Sequence, residues 1–128
     1  MTSIHYQRLL ASIFLTLGAW CMCFPGMVER LVLKPAYLIG NDTSALLMGC
    51  FGAQAVLCGT VILCSRFTPK TLLVFGLLAS IPFFGFNYYF YVEREMFTHW
   101  MLLDFAGNVG ILTLSLLGYA AAKRERAA

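Results

Sequence analysis

The chain alternates four long apolar runs with shorter polar stretches. The runs cover about residues 9–27, 45–65, 71–92 and 100–122, and Asp104 is the only formal charge inside them. A helix crossing a bilayer core needs about 20 apolar residues, so each run predicts one crossing. The expected fold is all-α, a four-helix transmembrane bundle forming one domain over residues 1–128. Start signals agree: Asn41-Asp42-Thr43-Ser44 can cap the second helix, Thr68 before Pro69 the third, and Thr98 the fourth. The short links at 66–70 and 93–99 predict direct antiparallel packing of spans two and three, and of spans three and four. Pro82 predicts a kink near Leu78 to Pro82.

The stretch Pro25 to Ser44 differs. It mixes apolar and charged residues and is broken by Pro35, which predicts a long extracytoplasmic first loop, partly helical, lying in the interface as a lid. Asn41-Asp42-Thr43 matches a glycosylation sequon, but its closeness to the second span predicts an unmodified site.

At 100° per residue, span four gathers Asp104, Gly107, Asn108, Ile111, Ser115, Gly118 and Ala122 on one stripe and leucines elsewhere. Span three does the same with Gly76, Ser80, Phe83, Asn87 and Tyr91. Span two has a small face of Gly49, Gly52, Ala53, Ala55, Gly59 and Thr60, with Gln54 on another side, and span one carries a mild stripe of Ser12, Thr16, Trp20 and Cys23. Small faces allow close helix approach, and polar groups supply interhelical hydrogen bonds. At ~1.5 Å of rise per residue, Asp104 and Asn87 lie roughly 6 to 8 Å inside the outer end, and Asn108 and Gln54 roughly 12 to 14 Å. With Trp20 and Tyr91 at the same level, these residues form the candidate ligand-binding set, a polar pocket in the outer half.

Composition places this pattern in lipid. The chain is 60% hydrophobic and only 12% charged, about half the charge of an average soluble protein. Its net charge of +3 is distributed as a topology signal and not as a nucleic-acid patch: Arg8, Arg66, Lys70, Lys123, Arg124 and Arg126 lie on the side of the termini, and Arg30, Lys34 and Arg94 on the other. The positive-inside rule then makes both termini cytoplasmic. The first run lacks a small-x-small cleavage site, so it reads as a retained helix. All five cysteines fall inside the spans, which fits packing residues better than a disulfide framework.

An acid at this depth is costly unless paired, so Asp104 is read in two ways: a latch paired with Arg94, Arg30 or Lys34, or a functional group. As a catalytic residue it would act as the acid or base on a lipid-soluble substrate. His5 and His99 lie at opposite faces, which argues against a bis-histidine haem. No metal set is expected, and no cofactor can be assigned. The small multidrug exporters carry a glutamate in their first helix, where this chain has no acid.

In length, in the long proline-containing first loop and in its segments FGAQAVL, FTPKTLL and LLDFAGN, the chain resembles the small four-helix membrane proteins of the DoxX-like grouping. That resemblance implies a helical bundle and roles ranging from subunits of quinone-linked redox systems to proteins without assigned chemistry. It transfers no catalytic residue. Three functions are therefore expected in turn: binding of a small amphipathic or lipid-soluble molecule, a non-catalytic accessory subunit docking a membrane protein partner or a second copy, and an enzyme acting through Asp104.

Overall fold

Four long helices and one short one make up most of the chain in the computed structural model, which describes residues 1–128 and contains no strand: α1 Ser3–Cys23, α2 Pro25–Val32, α3 Asp42–Cys64, α4 Pro69–Asn87 and α5 Met101–Ala127. A 3₁₀ turn, Pro35–Tyr37, precedes α3, and a π turn, Tyr88–Glu93, extends α4. Three segments, Asp42–Cys64, Pro69–Glu93 and Met101–Ala127, are long and apolar enough to cross a membrane. The first run differs from the single helix expected over 9–27: α1 passes that test only together with α2, across a 101° bend. The bend falls at Phe24, whose φ of −131° and ψ of 51° are not helical, and Pro25 restarts the chain as the first residue of α2. A proline has no N–H to continue the first helix and is favoured at the start of the second.

Two of the three expected caps form. Asn41 accepts from the Ser44 amide at 2.8 Å and its own amide donates to Ser44 Oγ at 3.2 Å, a reciprocal capping box. Thr68 Oγ1 accepts from the Thr71 amide at 3.1 Å. Thr98 does not cap α5, which starts after Trp100; its hydroxyl donates instead to the Leu31 carbonyl.

Small residues set the packing. Gly18 of α1 and Gly52 of α3 bring two backbones together: a Cβ on Gly52 would collide with the Met22 amide and lie 2.6 Å from the Gly18 carbonyl, and one on Gly18 would sit 2.8 Å from the Val56 amide. On α4, Gly76 accommodates Ser115 of α5. Eleven residues on along α4 and eleven back along α5, Asn87 meets Asp104, so one antiparallel register holds over the whole interface. Leu17 and Ile13 of α1 rest on Gly107 and Gly110 of α5, each 3.1 Å from the point a Cβ would occupy. The long helices therefore neighbour one another in the order α3, α1, α5, α4.

The expected contact between spans two and three is absent. Helices α3 and α4 barely touch despite the short link between them, α3 packing on α1 and α4 on α5 instead, and Gln7 of α1 is inserted into the link. Its Nε2 donates to the Ile62 and Ser65 carbonyls at 2.5 and 2.7 Å, and its Oε1 accepts from the Phe67 amide at 3.1 Å. Gln7 is 3% exposed and satisfies carbonyls that the end of α3 would otherwise leave open. The stripe expected on α1 is also misplaced: Ser12, Thr16 and Cys23 are exposed, and the buried face is Gln7, Leu10, Ala11 and Gly18.

The two ends of the chain meet. Ser3 donates to both carboxylate oxygens of Glu125, at 2.6 Å from its hydroxyl and 2.7 Å from its amide. The hydroxyl bond first, and then the amide bond, hold the Glu125 carboxyl below its ordinary range. A depressed carboxyl stabilises the fold above its unfolded pKa, and the contribution is lost as pH falls through the folded value. Replacing Ser3 by Ala is expected to raise the Glu125 pKa, as read by an NMR titration of its side-chain carboxyl carbon.

Gly52→Ala is expected to destabilise the protein by about 1–3 kcal/mol through overpacking. Gly49→Ala, whose Cβ would meet nothing nearer than Pro25 Cγ at 4.0 Å, is expected to change stability by less than about 0.5 kcal/mol. Thermal melts of the two variants in mild detergent make the comparison.

Candidate functional site

Asp104 lies in the first turn of α5, with Asn108 one turn further along the same face. Across the interface, Asn87 closes the last turn of α4. Both amides donate to the same oxygen: Asn87 Nδ2 and Asn108 Nδ2 each lie 2.9 Å from Asp104 Oδ2. The remaining Asn87 N–H donates to the Phe83 carbonyl at 2.9 Å, so both its amide protons are committed. Asn87 and Asn108 are each 5% exposed, and Asp104 is half-buried. The second oxygen, Asp104 Oδ1, accepts no hydrogen bond, nor is it sealed inside the protein like the unpartnered hydroxyls of Ser80 and Ser115.

Asp104 has no cationic partner. The one salt bridge in the protein joins half-buried Lys34 and exposed Glu95 at 3.7 Å, so the expected latch to Arg94, Arg30 or Lys34 does not form. Carboxamides take its place because they lie on the buried α4 and α5 stripes, whereas Arg30 and Arg94 are exposed and Lys34 is half-buried on the loops.

Beside this cluster is a cavity of about 240 Å³. Its walls come from all four long helices: Leu17 and Cys21 of α1, Phe51 of α3, Phe83 of α4, and Asp104 and Asn108 of α5. Val28 and Val32 of α2 and Phe97 of the third loop roof it. The roof is stitched together: Lys34 N donates to the Met96 carbonyl at 2.9 Å, Thr98 N to the Val32 carbonyl at 2.8 Å, and Leu33 pairs with Phe97 in an antiparallel bridge. A larger hollow of about 610 Å³ is a groove lined only by residues 68–79, from Thr68 and Lys70 to Ala79. It lacks the polar cluster and so is the weaker candidate, but Ala79 borders both hollows.

The structure brings Trp20, Asp104 and Asn108 to the cavity and places Asn87 directly behind Asp104. Gln54 is not part of it. It is exposed on α3 and makes no side-chain hydrogen bond, because two residues of helix turn it 200° away from Gly52, which faces α1. Tyr91 is also outside. A regular helix would place it one turn beyond Asn87, but the π turn breaks that phase, and the Tyr91 hydroxyl pairs with His99 Nδ1 at 2.9 Å instead. His99 is thereby engaged away from Asp104.

Two buried polar residues escaped the sequence reading. Gln7 precedes the first apolar run and, next to Arg8, resembles an ordinary polar flank. Glu29 looked like a loop charge, but it is 3% exposed and accepts from Ser44 Oγ at 2.9 Å and the Gly40 amide at 3.2 Å, pinning α2 to the start of α3. The available signal was its position beside Val28 on the apolar face of a short amphipathic helix. No three His, Cys, Asp or Glu side chains are placed to share a metal ion.

No protein-family model matches the chain, and no curated protein or solved structure matches it either.

Asn87→Ala and Asp104→Ala are expected to be non-additive. A double-mutant cycle read by thermal or denaturant unfolding in detergent should give a coupling of about 0.6–1.7 kcal/mol, the range of interhelical hydrogen bonds in membranes. Additivity within error would mean that the 2.9 Å contact contributes nothing.

Proposed function

We propose that the four long helices cross a membrane as one bundle, with the termini cytoplasmic and α2 and the third loop outside, and that the cavity beneath them binds a small amphipathic or lipid-soluble molecule. The observation that carries this reading is the cavity itself: apolar and aromatic walls converge on one polar pole, where Asp104 Oδ1 is uncommitted. Apolar pockets with a few placed polar groups are the usual form of small-molecule sites, which run about 300–1,000 Å³. At about 240 Å³, this cavity suits a compact ligand, such as one ring or a short chain.

Entry from the membrane is favoured by the seam between α3 and α4, which lack mutual packing, whereas backbone hydrogen bonds close the roof. Phe51, which lines the cavity and is 49% exposed, stands at its edge.

Binding fits the cluster better than catalysis. The partners of Asp104 are carboxamides, which orient a carboxylate and do not relay protons, and the nearest histidine in sequence is held by Tyr91. The accessory-subunit reading is favoured less, because Gly52 and Gly59 of α3 already pack on α1, and Gly107, Ser115 and Gly118 of α5 on α1 and α4.

The test is purification in mild detergent followed by extraction and mass spectrometry of retained compounds. A bound compound is expected at near-stoichiometric levels, and Ala79→Phe, which projects bulk into the hollow, should lower its retention by at least about tenfold. Retention unaffected by that substitution would overturn the reading, as would a stoichiometric protein partner with no bound compound.

A further inference from the structure

We propose that the ligand of this cavity is a hydrophobic monocation, an organic ammonium with a compact apolar body; this rests on the binding reading above. Three independent observations converge on it. First, the Asp104 carboxylate lies at the wall of an apolar cavity, and the protein supplies it with two amide donors but no cation. Both donors go to Oδ2, leaving Oδ1 as an acceptor on the carboxylate. A neutral occupant would leave that charge without a counterion inside a site largely walled by hydrocarbon, whereas an ammonium group supplies one.

Second, the remaining walls are rich in aromatic rings: Phe14, Trp20, Phe51, Phe83, Phe97 and Trp100 line the cavity. Aromatic walls are the usual environment for organic ammonium groups, whose charge is attracted to ring faces. Third, the segments around the roof carry Glu29, Asp42, Glu93 and Glu95 against Arg30, Lys34 and Arg94, an excess of one negative charge. The roof therefore adds no net positive field to repel a cation, and an anionic ligand would meet the same sign of charge at both the roof and the pole.

The probe pair is benzyltrimethylammonium and its uncharged isostere neopentylbenzene. Both tryptophans of the chain, Trp20 and Trp100, line the cavity, so intrinsic fluorescence of the detergent-solubilised full chain reports occupancy. The cation is expected to bind at least about tenfold more tightly than the isostere. Asp104→Asn, which keeps an acceptor for Asn87 and Asn108 but removes the charge, is expected to abolish that preference, bringing the ratio of the two affinities to about one. If the native protein takes both probes equally, the cation proposal fails and the apolar-cavity reading stands. If neither probe changes the fluorescence at any concentration, both fail. Should Asp104→Asn not fold, the ratio of the two affinities on the native protein still decides.

Discussion

One carboxylate oxygen organises the roof end of this protein. Asp104 Oδ2 receives an amide from α4 and an amide from α5, so the polar groups that are hardest to place in an apolar chain satisfy one another. Each contact is modest energetically. Its structural effect is larger, because it locks the register in which Gly76 receives Ser115 at the other end of the same interface. It also leaves one oxygen of the acid without a partner, on a residue that lines the cavity.

The helices pack by two different means. Between α1 and α3, the absence of side chains at Gly18 and Gly52 lets main chains approach almost directly. Between α4 and α5, small residues and the carboxamide pair share the interface, and the hydroxyls of Ser80 and Ser115 are buried without partners. In hydrocarbon there is little hydrophobic drive between helices, so close approach and hydrogen bonding are the available sources of association. The α4–α5 interface and the α3 side of the other use stripes that the 3.6-residue period marks on the sequence, whereas α1 packs through a different face from the one expected.

That period explains what was legible. On spans three and four, several small and polar residues repeat on one face, and the structure buries Gly76, Ser80, Asn87, Asn108 and Ser115 there. A lone polar residue gives no such vote: Gln54 stands by itself on α3 and faces outward. Hydroxyls are ambiguous because they can bond within their own helix, as Ser12 does to Leu9 and Thr60 does to Val56. The length of a link predicts that two helices follow each other, not that they touch. Helix α3 packs along α1 and α4 along α5 instead, with Gln7 of α1 inserted at the link end, and nothing local to the link announces it. The bend at Phe24 was signalled by Pro25, but an unbroken apolar run concealed it.

The way Gln7 grips the 65–68 link has a mechanical consequence. It ties the α3–α4 connection to α1 at the end opposite the roof, and the reciprocal bonds between the first and third loops tie the other end. A cleft clamped at both extremities is least restrained at its waist, as is the slot of a split tube held at its two ends. The point of such a slot farthest from both clamps falls midway along α3 and α4, at the level of Ala55 and Ala79, which both border the cavity.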